Sequence, residues 1–185
     1  MNLNPPFQRF NWDDYFWTDL VQLPAWAGLQ LPDEAAPGDG AVEVRLMAAD
    51  DKSTPPSPEQ AAAYEYLVGQ APAVREALLA AVFEWYQEEY LSWREENDYD
   101  EAEAARNLPE LSEPVGLAGL ISLSNIKVFR TAKDGLSYTG YEFACSWEEE
   151  HGLGAMMHGS RVVEIGGADT AVLEWIAARD AEPGK

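Results

Sequence analysis

Residues 126–165 read IKVFRTAKDGLSYTGYEFACSWEEEHGLGAMMHGSRVVEI. Apolar and polar residues alternate in Ile126 to Arg130, and again around Tyr141, Phe143 and Cys145. The alternation resumes from Leu153 to His158 and from Arg161 to Ile165. Period two is the mark of a strand with one face buried. Turn-forming residues separate the segments: Lys133-Asp134-Gly135, the charged stretch from Glu148 to Gly152, and Gly159-Ser160. Four short segments joined by turns predict an antiparallel meander. Gly166-Gly167 stops it. Asp169 then reads as the cap of a last helix over residues 170–179, with Leu173, Trp175 and Ile176 as its apolar anchors. Residues 180–185 read as a frayed tail.

Working back from the meander, VGLAGLISLSNI after Pro114 reads as a turn or short helix that feeds a strand. Ser57-Pro58-Glu59-Gln60 predicts a helix start. Serine caps, proline suits the first helical position, and Gln60 reaches back to close a capping box. That helix ends near Gly69, and Pro72 opens another. In the second helix Val74, Leu78, Val82 and Trp85 form one stripe. Leu79, Phe83, Tyr86, Tyr90 and Trp93 form an adjacent one. An arc this wide is buried on more than one side. Nearer the N-terminus, AVEVRLM at 41–47 alternates as a half-buried strand. Residues 7–26 read as short β segments broken at Asp13-Asp14 and ended by Pro24. Residues 31–40 and the Pro-rich 52–58 read as loops. Strands, two helices, then strands and a helix define an α+β fold, an antiparallel sheet packed against two or three helices in one domain of 185 residues.

The chain carries a formal net charge of −21. A polyanion is repelled by nucleic acid phosphate and by anionic membranes, and attracts a basic protein partner. The charge is concentrated. Residues 84–113 hold 11 acidic residues against Arg94 and Arg106, and are expected to oppose compaction as a mobile loop or solvated helix end. Glu95, Glu96, Asp98, Asp100, Glu101 and Glu103 there, with Glu148 and Glu149 in the meander, are the candidate partner-binding residues. Cys145 is the lone cysteine, which fits a reducing cytoplasm. The first residues lack a signal-peptide pattern, and no window is apolar enough to span a bilayer, so a cytoplasmic location is expected.

Phe143, Cys145, Trp147, Glu148, Glu150, His151, Gly152, Leu153 and Gly154, followed by Gly166-Gly167-Ala168-Asp169, resemble the signature of an uncharacterised bacterial family of unknown function. In that family the pattern runs F-x-C-x-W-(D/E)-x-E-H-G-L-G and then G-G-A-D. The resemblance implies an association with toxin-immunity systems and transfers no activity.

The same stretch is the candidate for chemistry. The turn reading leaves its carboxylates in water, with Gly152 and Gly154 supplying backbone freedom. The alternative gives Glu150, His151 and His158 a catalytic or metal-binding role, as a small hydrolase or metal-assisted enzyme, with Cys145 as a further ligand. A regular strand would put His151 and His158 on opposite faces, and the spacing matches no strong metal motif. No cofactor is expected. A non-enzymatic binding protein, immunity-like, is the first functional expectation, with a housekeeping interaction scaffold as a further alternative.

Overall fold

The computed structural model describes residues 3–48, 54–96 and 99–182. Seven strands form one sheet in sequential order. They are β1 (Asn11–Trp12), β2 (Phe16–Gln22), β3 (Ala41–Met47), β4 (Ile121–Lys133), β5 (Leu136–Cys145), β6 (Leu153–His158) and β7 (Arg161–Gly166). The alternation maps onto burial in β3 but not through the meander, where Leu153 to Met157 of β6 are all buried because cores cover both faces of the sheet. In β3, Val42, Val44 and Leu46 are buried while their neighbours are half-buried. The meander lies where the pattern predicts it, and Asp134 and Gly135 take positive φ at the two-residue β4–β5 turn.

One pairing departs from the expected antiparallel sheet. β3 and β4 run parallel, with Val44 opposite Ile126 and Leu46 opposite Val128. A parallel pair needs a crossover, and this one carries the helices. They are α1 (Pro58–Gly69), α2 (Ala71–Glu96) and α3 (Glu101–Asn107), followed by a 3₁₀ turn at Pro114–Gly119. At α1 the capping box forms as the residues predict: Gln60 N–H donates to Ser57 Oγ, and Ser57 N–H donates to Gln60 Oε1. Gln60 is also fully buried, and its amide donates to the carbonyls of Met47 and Val128. One side chain thus caps the helix and ties it to two strands.

The helices α1 and α2 cover one face of the sheet. Val74, Leu78, Val82 and Tyr86 pack with Leu46, Val128, Tyr141, Phe143 and Met157 in the main core. Both predicted stripes of α2 contribute, as the wide apolar arc requires. The other face carries a smaller core in which Phe129, Tyr138 and Met156 meet Ile176 and Ala177 of α4 (Glu174–Ala181).

The C-terminal segment corrects three expectations. The helix does not begin at Asp169. Residues Ala168–Ala171 form a 3₁₀ turn, and α4 starts only at Glu174. The turn is pressed flat on β5 and β6, so the chain must bend before it can become helical. Trp175 is not an anchor: it is 52% exposed, with the Arg179 guanidinium 4.9 Å from its ring centre. Ile176 is buried as expected of an anchor, and Ala177 is buried where Trp175 was expected to be. Asp180 and Ala181, expected in a frayed tail, belong to α4. Asp180 accepts hydrogen bonds from Tyr138 Oη (2.7 Å) and Arg161, and its carbonyl accepts one from Lys133. Residues 183–185 lie outside the described residues.

Candidate functional site

The β5–β6 turn is held from below by an aromatic cluster. Trp147 is buried, stacks on Trp93 at 5.6 Å and 22°, and meets Tyr86 edge-on at 5.0 Å. Tyr86 Oη donates to Pro109 O at 2.7 Å, and Ser146 Oγ donates to Asn107 O at 2.7 Å. Gly152 takes a φ of +59°, and its N–H donates to Glu148 O. The segment from Glu148 to Gly152 therefore closes as a loop whose Glu149, Glu150 and His151 are exposed.

The acidic segment is better anchored than like-charge repulsion alone predicts. Asp100 caps α3: its carboxylate accepts from Ala102 N–H and Glu103 N–H, while Glu103 Oε2 accepts from Asp100 N–H. The helix then buries Ala104 and Leu108 at its base. Carboxylates at a helix N-terminus also meet the positive end of its dipole, which offsets part of their mutual repulsion. Arg106 pairs with Asp33, and Gln87 donates to Leu111 O at 2.9 Å.

These two acidic elements, about 50 residues apart in sequence, are joined where Ser146 Oγ donates to Asn107 O at the end of α3, and Glu149 lines the same hollow as Asn107. Burial raises the Tyr99 phenol above its ordinary value, and the charges of Glu149, Glu148 and Glu103 raise it further. The carboxylates of the turn and of α3 thus both act on this half-buried phenol. Glu101, Glu95 and Glu149 are exposed, whereas Asp100 and Glu103 are partly engaged in capping. Glu96 closes α2. Its side chain and the whole of Asp98 lie outside the described residues.

The catalytic candidates are not brought together. His151 is exposed, and its Nδ1 lies 3.2 Å from Glu148 Oε1. His158 sits at the far end of β6, seven residues on, about 20 Å away at strand rise. Its Nε2 lies 3.0 Å from Lys133 O and 3.2 Å from Leu136 O. Two carbonyls accept only, so Nε2 carries the proton and is committed to the β4–β5 turn. Glu150 is exposed on the loop beside His151. Among the described residues no three His, Cys, Asp or Glu side chains gather at metal-binding distance. Cys145 is buried, with its thiol donating to Glu148 O at 3.5 Å. Burial pushes that thiol up to about 12, which suppresses the thiolate a nucleophile or a metal ligand requires.

The glycines of the two signature strings have a different use. A Cβ on Gly154 would lie 2.5 Å from Gly167 O, 2.9 Å from Ala168 O and 2.9 Å from Ala171 N. Ala168 N–H donates to His151 O at 2.9 Å. The H-G-L-G and G-G-A-D segments are the two halves of one contact, in which backbone lies on backbone.

Sequence reasoning missed a charged cluster on the sheet. Lys127 is 3% exposed, and its Nζ donates to Asn125 Oδ1 at 2.7 Å and to Glu142. Burial lowers the Lys127 ammonium below its ordinary value, against the pull of Glu142. Arg45 and Glu43 pair on the neighbouring strand. The alternation Ile126-Lys127-Val128 suggests a solvent-facing lysine. Only the cross-strand register, which sets Asn125 opposite Glu142, reveals its partner.

The fold and this surface define a class: an α+β protein with a mostly antiparallel seven-stranded sheet and an acidic face built on an aromatic cluster. The chain belongs to the family described as "Domain of unknown function (DUF6985)", whose model matches residues 25–173. Comparison with curated proteins and with solved structures finds no significant match. Among the described residues no helix is long and apolar enough to cross a membrane.

Proposed function

We propose that this protein is a non-enzymatic binding protein that captures a basic protein partner and, in an immunity-like role, neutralises it by occlusion. The observation that carries the reading is the joining of α3 to the end of β5 through Ser146 and Asn107, beside the exposed Glu149 of the Glu148–Gly152 loop. Acidic residues far apart in the chain form one surface, with an aromatic ring of the type enriched at interfaces. The charge of −21 would speed encounter with a cationic partner and repel polyanions. Rigid support from Trp147, Trp93 and Tyr86 lowers the ordering cost of binding.

The test is capture from the native cell lysate with the tagged wild-type protein and with the triple variant E101K/E149K/E150K, whose substituted positions are exposed. The expected result is one dominant basic protein retained by the wild type, released by salt and lost from the variant. Affinities measured with that purified partner should then fall at least tenfold on charge reversal, as for several rim charges acting together. Equal retention by the variant, or binding insensitive to salt, would overturn the reading.

A further inference from the structure

A groove of about 500 Å³ opens between the first turns of α2 and the 3₁₀ turns at Pro24–Trp26 and Pro114–Gly119. Its walls are apolar, formed among others by Leu79, Ala80, Ala118 and Val115, the last of which is 71% exposed. The size and the lining suit a small molecule rather than a water cluster. Within it stands Arg75. Its Nε is fully buried and has no hydrogen-bond partner. The other described arginines and lysines each have an ion pair or a hydrogen bond: Arg9 with Asp19, Arg45 with Glu43, Arg106 with Asp33, Lys127 with Glu142, Arg179 with Glu164. Lys133 and Arg161 both meet Asp180, Arg94 contacts Tyr90, and Arg130 donates to Pro55 O. In a chain with 33 acidic residues and only 12 basic ones, a described guanidinium with neither an ion pair nor a hydrogen bond is unexpected. A guanidinium donor buried against apolar walls is costly unless an acceptor reaches it.

We propose that this groove binds a small amphiphilic monocarboxylate, with the carboxylate on Arg75 and an aliphatic body along Leu79, Val115 and Ala118. The planar fork of arginine matches a carboxylate in two parallel hydrogen bonds. Glu76 also lines the groove and is exposed. Its charge leaves the local balance near neutral, so a monoanion is accepted, whereas phosphates and dicarboxylates are repelled. The groove is lined by residues other than those of the acidic surface, and the proposal does not depend on a protein partner.

The experiment uses octanoate as the probe, titrated into the full-length protein and followed by calorimetry and by amide chemical shifts. Wild type should bind saturably and more tightly than about 1 mM. R75Q, which keeps the helix and the stem but removes the charge, should weaken binding about tenfold or more, as expected for a lost charge-assisted hydrogen bond. A80W, at an exposed helical position, should fill the groove and abolish binding without unfolding the chain. Acetate (charge without body) and octanol (body without charge) should each bind far more weakly. Absence of saturable octanoate binding to wild type, unchanged affinity in R75Q, or equal affinity for octanol would overturn the proposal.

Discussion

Replacing Gly140 by alanine probes how the C-terminal segment docks on the sheet. A Cβ at position 140 would lie 2.1 Å from Ala171 O, 2.9 Å from Ala171 C and 3.1 Å from its Cα. These are backbone atoms, so no side chain can rotate away. Ordinary contact requires the 3₁₀ turn Ala168–Ala171 to retreat by more than about 1 Å. Sliding toward β6 is opposed too, because the same segment lies against Gly154, where even a Cβ would come within 2.5 Å of Gly167 O and 2.9 Å of Ala171 N. Retreat lifts Ile176 and Ala177 from Phe129, Tyr138 and Met156. Overpacking of this kind costs about 1–3 kcal/mol, and partial exposure of Ile176 adds about 1 kcal/mol. Against this, alanine lowers the entropy of the unfolded chain, a gain of about 0.4–1 kcal/mol. The net loss is about 1–3.6 kcal/mol, or a fall in Tm of roughly 2–14 °C for a chain of this size. Urea and thermal unfolding measure it, with amide exchange at residues 172–177 as the local readout. The control is G69A, at the last residue of α1, where an added Cβ meets nothing within 4 Å and alanine should stabilise by about 0.5–1 kcal/mol. A G140A protein within about 0.5 kcal/mol of wild type, with unchanged exchange in α4, would refute the docking argument.

Asp180 links pH to the same segment. The hydrogen bond from Arg161 holds its carboxyl down at about 2, below the ordinary value of 3.8. A carboxyl depressed on folding stabilises the protein above its unfolded pKa, and that contribution is lost as pH falls from about 4 through about 2. After allowance for screening at the surface it is worth about 1 kcal/mol, and D180N should remove that step from the stability-versus-pH curve. Cys145 should resist iodoacetamide in the native protein at pH 8 and react promptly in denaturant, and comparable rates in both would contradict its burial. K127M should destabilise by about 2–4 kcal/mol by leaving Glu142 without its cation, whereas K127M/E142L should recover most of the loss in urea unfolding. A loss in the double variant equal to the sum of the K127M and E142L losses would show that the pair is not coupled.

Much of this fold is legible without coordinates, because period-two alternation, turn residues and caps act over a few neighbours. The strands β3 to β7, the Ser57 cap and the paired stripes of α2 are read from such local patterns. The candidate site is legible only in its parts. Glu148 and Glu149 stand out as a charged turn and Glu101 and Glu103 as a charged helix, but nothing local says that both act on the Tyr99 phenol. The parallel pairing of β3 with β4 is equally hidden, since a crossover of more than 70 residues separates the two strands. Trp175 has the composition of an anchor, yet the 3₁₀ turn fixes where α4 begins and rotates that ring outward.

The sequence by itself therefore determined the elements and their amphipathic faces, because each residue's preference for turn, cap or buried strand is set by its own chemistry and its nearest neighbours. Tertiary structure alone decided the partners: Lys127 with Glu142, Gly154 with Gly167, His158 with the β4–β5 turn, and α3 with Ser146 at the end of β5. Those contacts join residues from distant parts of the chain, and they exist only once the sheet register and the crossover have put them in place.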